Sequence, residues 1–332
     1  SDRTWREITT PSRFFNEEEN MVSAIHKKTN GRKATPYLFI TPGLIAMLLA
    51  VVIPGILTIY FAFTNYSLTH LADYKFSGLL NFRRIFLGSA HGEFFGVLSW
   101  TTVWAILSTF LSFSIGLILA LLLTNKNIRE RNFYRMLLIL PWALPSTLTV
   151  LTWRGLLNSS FGPINRFLAI FNIAAVPWLT EPLAARITCL LVNIWIAFPF
   201  MMITCLGALQ SIPDELYDAG KVDGANHWQS FWNITFPLLR SATLPLLISG
   251  FAMQFGNFGV IFLLTEGGPF VKTSTLVGST DLLSTYMYKM AFASASFDYG
   301  MAAACGLILF IIIGTLTLIN TKINGAFREV DV

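Results

Sequence analysis

The chain has 332 residues, 54% hydrophobic and only 12% charged, with a mean hydropathy of +0.60 and a formal net charge of +5. A soluble domain of this length has no core large enough to hide so much apolar surface, which excludes a soluble enzyme or binding module and leaves a polytopic membrane protein. The positive excess is not gathered into Lys/Arg blocks with interleaved aromatics, so no nucleic acid partner is expected and the basic residues read as topology signals beside a lipid membrane.

A polar tail over residues 1–36 comes first. The apolar run after it begins near Tyr37 and is too long for the h-region of a signal peptide, so the first span is expected to act as its own insertion signal. Crossing a hydrocarbon core of roughly 30 Å takes about 20 apolar residues in a helix. Six runs reach that length, near Tyr37 to Phe63, Phe95 to Leu123, Phe133 to Leu151, Ala185 to Leu206, Leu238 to Leu264 and Tyr299 to Ile319. The expected fold class is therefore all-α: a polytopic membrane protein with six transmembrane helices in one domain over 37–321, then a short tail over 322–332.

Lys and Arg close to a span stay on the cytoplasmic side. Lys27, Lys28, Arg32 and Lys33 precede the first span, Lys126, Arg129, Arg131 and Arg135 fill the second loop, and Lys322 and Arg328 follow the last span. Both termini are expected in the cytoplasm. The loop between spans four and five breaks the charge pattern, because Asp214, Glu215, Asp218 and Asp223 outnumber Lys221 there. A positively lined docking partner would explain an acidic loop on that side.

Pro42 and Pro54 interrupt the first span, Pro141 and Pro145 the third, and Gly250, Gly256 and Gly259 the fifth. Breaks at bilayer depth serve either a polar cavity or close helix packing. Cys189, Cys205 and Cys305 lie in apolar stretches and read as small packing residues, and the four histidines are scattered, so no metal is expected.

The acidic loop runs SIPDELYDAGKVDGANHWQSFWNITFPLL from Ser211. Ser211 is a candidate N-cap, Pro213 fits a first turn, and Asp214 and Glu215 oppose the positive end of the helix dipole. Leu216, Ala219 and Val222 recur on one face, Gly224 permits a turn of positive φ, and Asn226 with Gln229 can cap a second helix carrying Trp228, Phe231 and Trp232. Pro237 would then mark the start of the fifth span. Two short helices around small residues make a knob that suits docking; an interfacial loop held by its tryptophans is the competing reading.

The order Asp218-Ala219-Gly220, then Gly224, then Ile234 and Pro237 resembles the EAA loop of binding-protein-dependent ABC permeases, with the same spacing throughout. Asp218 stands for the Glu of that pattern, Gly220 for its second Ala and Phe236 for its Leu. PYLFITPGL at 36–44, NIWIAFPF at 193–200, LLTEGGP at 263–269 and YMYKMAF at 286–292 resemble the MalF/UgpA branch of sugar permeases. The resemblance implies the type I ABC importer permease fold in a bacterial cytoplasmic (inner) membrane. It further implies ATPase coupling through Glu215, Asp218, Ala219, Gly220, Asp223, Gly224, Ala225, Ile234 and Pro237. The partners it implies are a dimer of ABC ATPases, a second homologous permease and an extracytoplasmic solute-binding protein.

The chain has no GxxxxGK[ST] phosphate loop, so ATP and Mg are expected on the partner ATPase, with no cofactor and no enzymatic site in this chain. Its spans carry almost no charged residues in their central turns, which disfavours the alternative, an ion-coupled secondary transporter or channel. Neutral hydrogen-bonding and aromatic side chains at Asn193, Trp195, Gln254, Phe255, Asn257 and Phe258, with Tyr286 weaker, are candidates for the path of a sugar-like solute; interhelical packing is the competing role. Arg154 or Arg166 would suit an acidic saccharide. The Glu266-Gly267-Gly268-Pro269 run reads as a turn on the far side of the membrane or a contact for the solute-binding protein.

Overall fold

The computed structural model describes residues 37–125, 128–270, 274, 276–295 and 297–323. Lys27, Lys28, Arg32, Lys33, Lys126 and Arg328, and the 1–36 tail, lie outside them. Among the described residues, 37–57 belong to one compact unit and those from 58 to 323 to another. The described residues are helical apart from connecting loops, among them 63–79 and 171–181, and two isolated bridges, as expected for an all-α chain.

Five helices are long and apolar enough to span a membrane: α1 (Tyr37–Ala62), α3 (His91–Thr124), α7 (Pro182–Gln210), α9 (His227–Phe255) and α12 (Tyr299–Ile323). The sixth expected span is a pair, α4 (Arg131–Ala143) and α5 (Ser146–Leu156), bent by 89°. Pro145 is the cause: it has no N–H to give the Pro141 carbonyl, and its ring holds Leu144 in an extended conformation (ψ 147°) that ends α4. Shorter helices complete the chain: α2 (Leu80–Leu87), α6 (Pro163–Ile170), α8 (Asp214–Val222), α10 (Gly259–Thr265) and α11 (Leu283–Phe292).

Two of the spanning helices contain a π-helical turn, Leu48–Val52 in α1 and Phe231–Thr235 in α9. Each ends two residues before a proline, Pro54 and Pro237. A proline ring would clash with the carbonyl four residues back, and the wider π turn moves that carbonyl aside. The fifth span is thus not started by Pro237: the second loop helix and the span are one helix from His227. That span also stops at Phe255, short of Leu264, because the chain breaks at residues 256–258 before α10.

Helix α3 lies against α7 through small side chains. Thr101, Ala105, Ser108, Ser112, Gly116 and Ala120 are buried along one face. A Cβ on Gly116 would stand 2.7 Å from the Met202 nitrogen, so the two backbones touch there. Three buried clusters follow α3 along its length, one with α11 and α12, one with α5, α7 and α10, and one with the end of α7 and the start of α9. Cys189, Cys205 and Cys305 are free and buried in them.

Candidate functional site

Between α7 and α9 the acidic loop folds as two helices meeting at Gly224. Ser211 closes α7, its hydroxyl donating to the Ala208 carbonyl at 2.8 Å, and the N-cap of α8 is Pro213. The sequence expectation for Ser211 is corrected in this respect; Pro213 shifts out of the helix because its extended ψ of 134° is not helical. Asp214 and Glu215 occupy the first turn of α8. At its end, the Ala225 N–H bonds to the Gly220 carbonyl at 2.8 Å and the Gly224 N–H to the Lys221 carbonyl at 3.1 Å, a Schellman closure with Gly224 at φ +78°. Asn226 and Gln229 then form a reciprocal capping box.

The two helices are tied together at two points, the first between residues outside the loop motif. The Tyr217 and Thr235 hydroxyls are 3.0 Å apart, and Thr235 is buried. Gly220 lies under Ile234, whose Cδ1 would be 3.2 Å from a Cβ at that position. The inward face of α8 is therefore Tyr217 and Gly220. Leu216 and Val222 point outward, 42% and 89% exposed, with Ala219, Asp218 and Asp223 also exposed. Trp228, Phe231, Trp232 and Phe236 form a connected group of rings, in which Trp228 remains 70% exposed. Asp218 and Lys221 pair at 2.8 Å on the surface. Beside the loop opens a cleft of about 1550 Å³, lined in part by Tyr217, Lys221, Arg131, Arg135 and the ends of α3 and α7.

Three of the amide candidates converge near the other end of α9. Asn257 Nδ2 donates to Asn193 Oδ1 and to Gln254 Oε1, both at 3.1 Å, and Asn193 Nδ2 lies 3.4 Å from Gln254 Oε1. The Gln254 amino group and the Asn257 carbonyl oxygen have no side-chain partner among the described residues, and both side chains are half-buried. Phe258 beside them is half-buried, and Trp195 packs edge-on against Trp153 at 5.5 Å.

Phe255 and Tyr286 belong elsewhere. They are 4% and 1% exposed in the cluster with α12, where the Tyr286 hydroxyl lies 3.4 Å from Glu93 Oε2 and burial above all raises the phenol pKa. In this conformation both side chains lie among the buried residues of that cluster. Arg154 is likewise engaged, by Glu266 at 3.0 Å and the Leu263 carbonyl at 3.3 Å, while Arg166 is exposed.

The turn at Glu266 to Pro269 rests on a buried ion pair that motif reading missed. Lys289 Nζ meets Asp281 Oδ2 at 2.7 Å, and the Asp281 side chain is 0% exposed. The Gly278 N–H and the Thr285 hydroxyl also donate to Asp281, at 2.7 and 2.8 Å. Gly267, at φ +83°, sits so close that a Cβ there would overlap both ionised groups. Among the described residues no group of three or more His, Cys, Asp or Glu could hold a metal ion.

Residues 112–328 match the family described as "Binding-protein-dependent transport system inner membrane component". The maltodextrin transport permease MalC of Streptococcus pneumoniae is 38% identical over 309 residues, covering 90% of this chain and 71% of that protein. GanP of Bacillus subtilis, a galactooligosaccharide transport permease, is 36% identical over 299 residues, 89% of this chain and 71% of GanP. MalF of Escherichia coli, a maltose/maltodextrin transport permease, is 42% identical over 250 residues, 74% of this chain and 48% of MalF. A solved bacterial ABC transporter involved in import of the acidic polysaccharide alginate shares the fold, with a TM-score of 0.70 at 23% identity over 92% of this chain and 99% of the other. A chain with this match, this fold and this loop belongs to the inner-membrane permease components of binding-protein-dependent ABC transport systems, and is a transport subunit.

Proposed function

We propose that this permease carries a sugar or oligosaccharide inward through a bacterial cytoplasmic membrane, taking it from an extracytoplasmic solute-binding protein. A dimer of separate ATPases binds and hydrolyses ATP, and a second, related permease forms the other wall of the path. The 211–237 loop docks on an ATPase and passes its movement to α7 and α9, to which both loop ends are joined. Glu215, Asp218, Ala219, Gly220, Asp223, Gly224, Ala225, Ile234 and Pro237 carry that coupling. Both termini lie in the cytoplasm, with Arg129, Arg131, Arg135 and Lys322 on the same side as the loop.

The observation that carries the solute reading is the amide cluster of Asn193, Gln254 and Asn257. Its members bond to one another, yet a donor group and an acceptor oxygen remain unspent in a half-buried position. A carbohydrate hydroxyl both donates and accepts, and so fits such a pair, and a neutral amide holds it without the cost of burying an ion. The relatives named for maltodextrin and galactooligosaccharide transport support this class of solute.

Uptake of labelled oligosaccharide into proteoliposomes holding the complete importer tests the proposal. It is expected to require ATP and the ATPase subunits. Uptake by the purified chain alone, driven by an ion gradient, would overturn it in favour of a secondary carrier.

A further inference from the structure

Asn193 and Asn257 sit on different elements of the amide cluster, yet one short corner of the chain reaches both. Arg186 lies two turns before Asn193 on α7, and its Nε donates to the Ser279 carbonyl at 2.6 Å. Ser284, five residues further on, donates its hydroxyl to the Asn257 carbonyl. The corner from 278 to 285 is thus bonded to α7 at one end and to the break after α9 at the other.

Asn257 depends on such a support. At residues 256–258 the chain has left α9 and not yet entered α10, and the Gly256 and Asn257 N–H groups bond only three residues back, to the Met253 and Gln254 carbonyls at 3.1 and 3.2 Å. Among the described residues the donor to the Asn257 carbonyl is the Ser284 hydroxyl. Where the helical ladder is broken, a backbone carbonyl takes its partner from elsewhere in the fold. Holding that peptide also sets the direction in which the Asn257 side chain reaches Asn193 and Gln254.

The corner is rigid because it is built on a buried charge. Asp281, between Ser279 and Ser284, accepts from the Gly278 N–H, the Thr285 hydroxyl and Lys289 Nζ, at 2.7, 2.8 and 2.7 Å. Helix α3 anchors it twice: the Leu283 N–H donates to Thr101 Oγ1 at 3.0 Å, and the Arg186 guanidinium lies over the Trp100 ring, 4.5 Å from its centre.

We infer that the 278–285 corner is a clamp that sets the spacing of Asn193 and Asn257, with Arg186 and Ser284 as positioning residues that act on solute passage through those amides. The inference rests on the solute reading of the amide cluster above. Polar groups that receive a ligand hydroxyl must be held to within about 0.5 Å, and bonded neighbours supply that precision. The rival account gives the corner a role in stability alone. It predicts that variants lower uptake and ATP hydrolysis together, as intact importer is lost, with no change in the ratio between them.

The test is therefore labelled maltotriose taken up per ATP hydrolysed by the complete importer in proteoliposomes. Ser284→Ala is expected to lower this ratio about two- to tenfold, the range of one hydrogen bond, and Ser284→Thr, which keeps the hydroxyl, to restore it. Arg186→Gln, at the other end of the corner, gives a fall of the same size. Because both residues act through the amides, neither substitution lowers the ratio further in an Asn257→Leu importer. An unchanged ratio in Ser284→Ala or in Arg186→Gln, or losses that multiply with that of Asn257→Leu, overturns the clamp and leaves the amide path standing. If Asn257→Leu itself leaves the ratio unchanged, the amide path fails and the clamp with it.

Discussion

Gly220 and Ile234, fourteen residues apart, touch across the two helices of the loop, with only 3.2 Å between Ile234 Cδ1 and the place of an added Cβ. The contact is tight but ends on a flexible methyl. Gly220→Ala is expected to retain most transport, because that methyl moves by a few tenths of an ångström. Gly220→Leu must push the second helix away, and uptake should fall at least about tenfold with ATPase subunits still able to hydrolyse ATP. Parallel measurement of uptake and ATP hydrolysis checks both.

Gly224 holds φ +78° at the Schellman closure of α8. A β-branched side chain there costs about 1–2 kcal/mol or more and strains the turn between the helices. Gly224→Val should abolish ATPase association, seen as loss of co-purification, or leave hydrolysis running without uptake. Normal coupling in this variant would remove the loop from the mechanism.

Asn257 supplies two of the three hydrogen bonds of the amide cluster. Asn257→Leu leaves Asn193 and Gln254 bonded only to each other, at 3.4 Å. Uptake should fall while the assembled complex remains intact by size-exclusion chromatography. Undiminished uptake would take this residue out of the path.

The Lys289–Asp281 pair is a stability prediction. Lys289→Met leaves a carboxylate at 0% exposure with hydrogen-bond donors but no cation, a change worth about 3–5 kcal/mol. Thermal unfolding of the purified permease should shift to lower temperature, and Asp281→Asn in the same chain should recover part of the loss. The exposed Asp218–Lys221 pair offers a contrast, since both side chains are about 70% exposed and Lys221→Ala should change stability by less than about 1 kcal/mol.

The sequence by itself determined the class, the rough number of spans and the turn and cap of the loop. Long apolar runs have few structures open to them in lipid, and Gly224, Asn226 and Gln229 act through bonds to near neighbours, so their turn and cap were legible in order. What only the tertiary structure decided depends on distant residues meeting. The third span bent by 89° before Pro145, a π turn before Pro237 carried the fifth span back to His227, and the face of α8 that turned inward was Tyr217 with Gly220. Periodicity marks a stripe but not which side finds a partner, which is why Leu216 and Val222 face outward. The same limit separated the path candidates: Asn193, Gln254 and Asn257 came together, whereas Phe255 and Tyr286 went into the packed core, because burial is fixed by helices far apart in the chain.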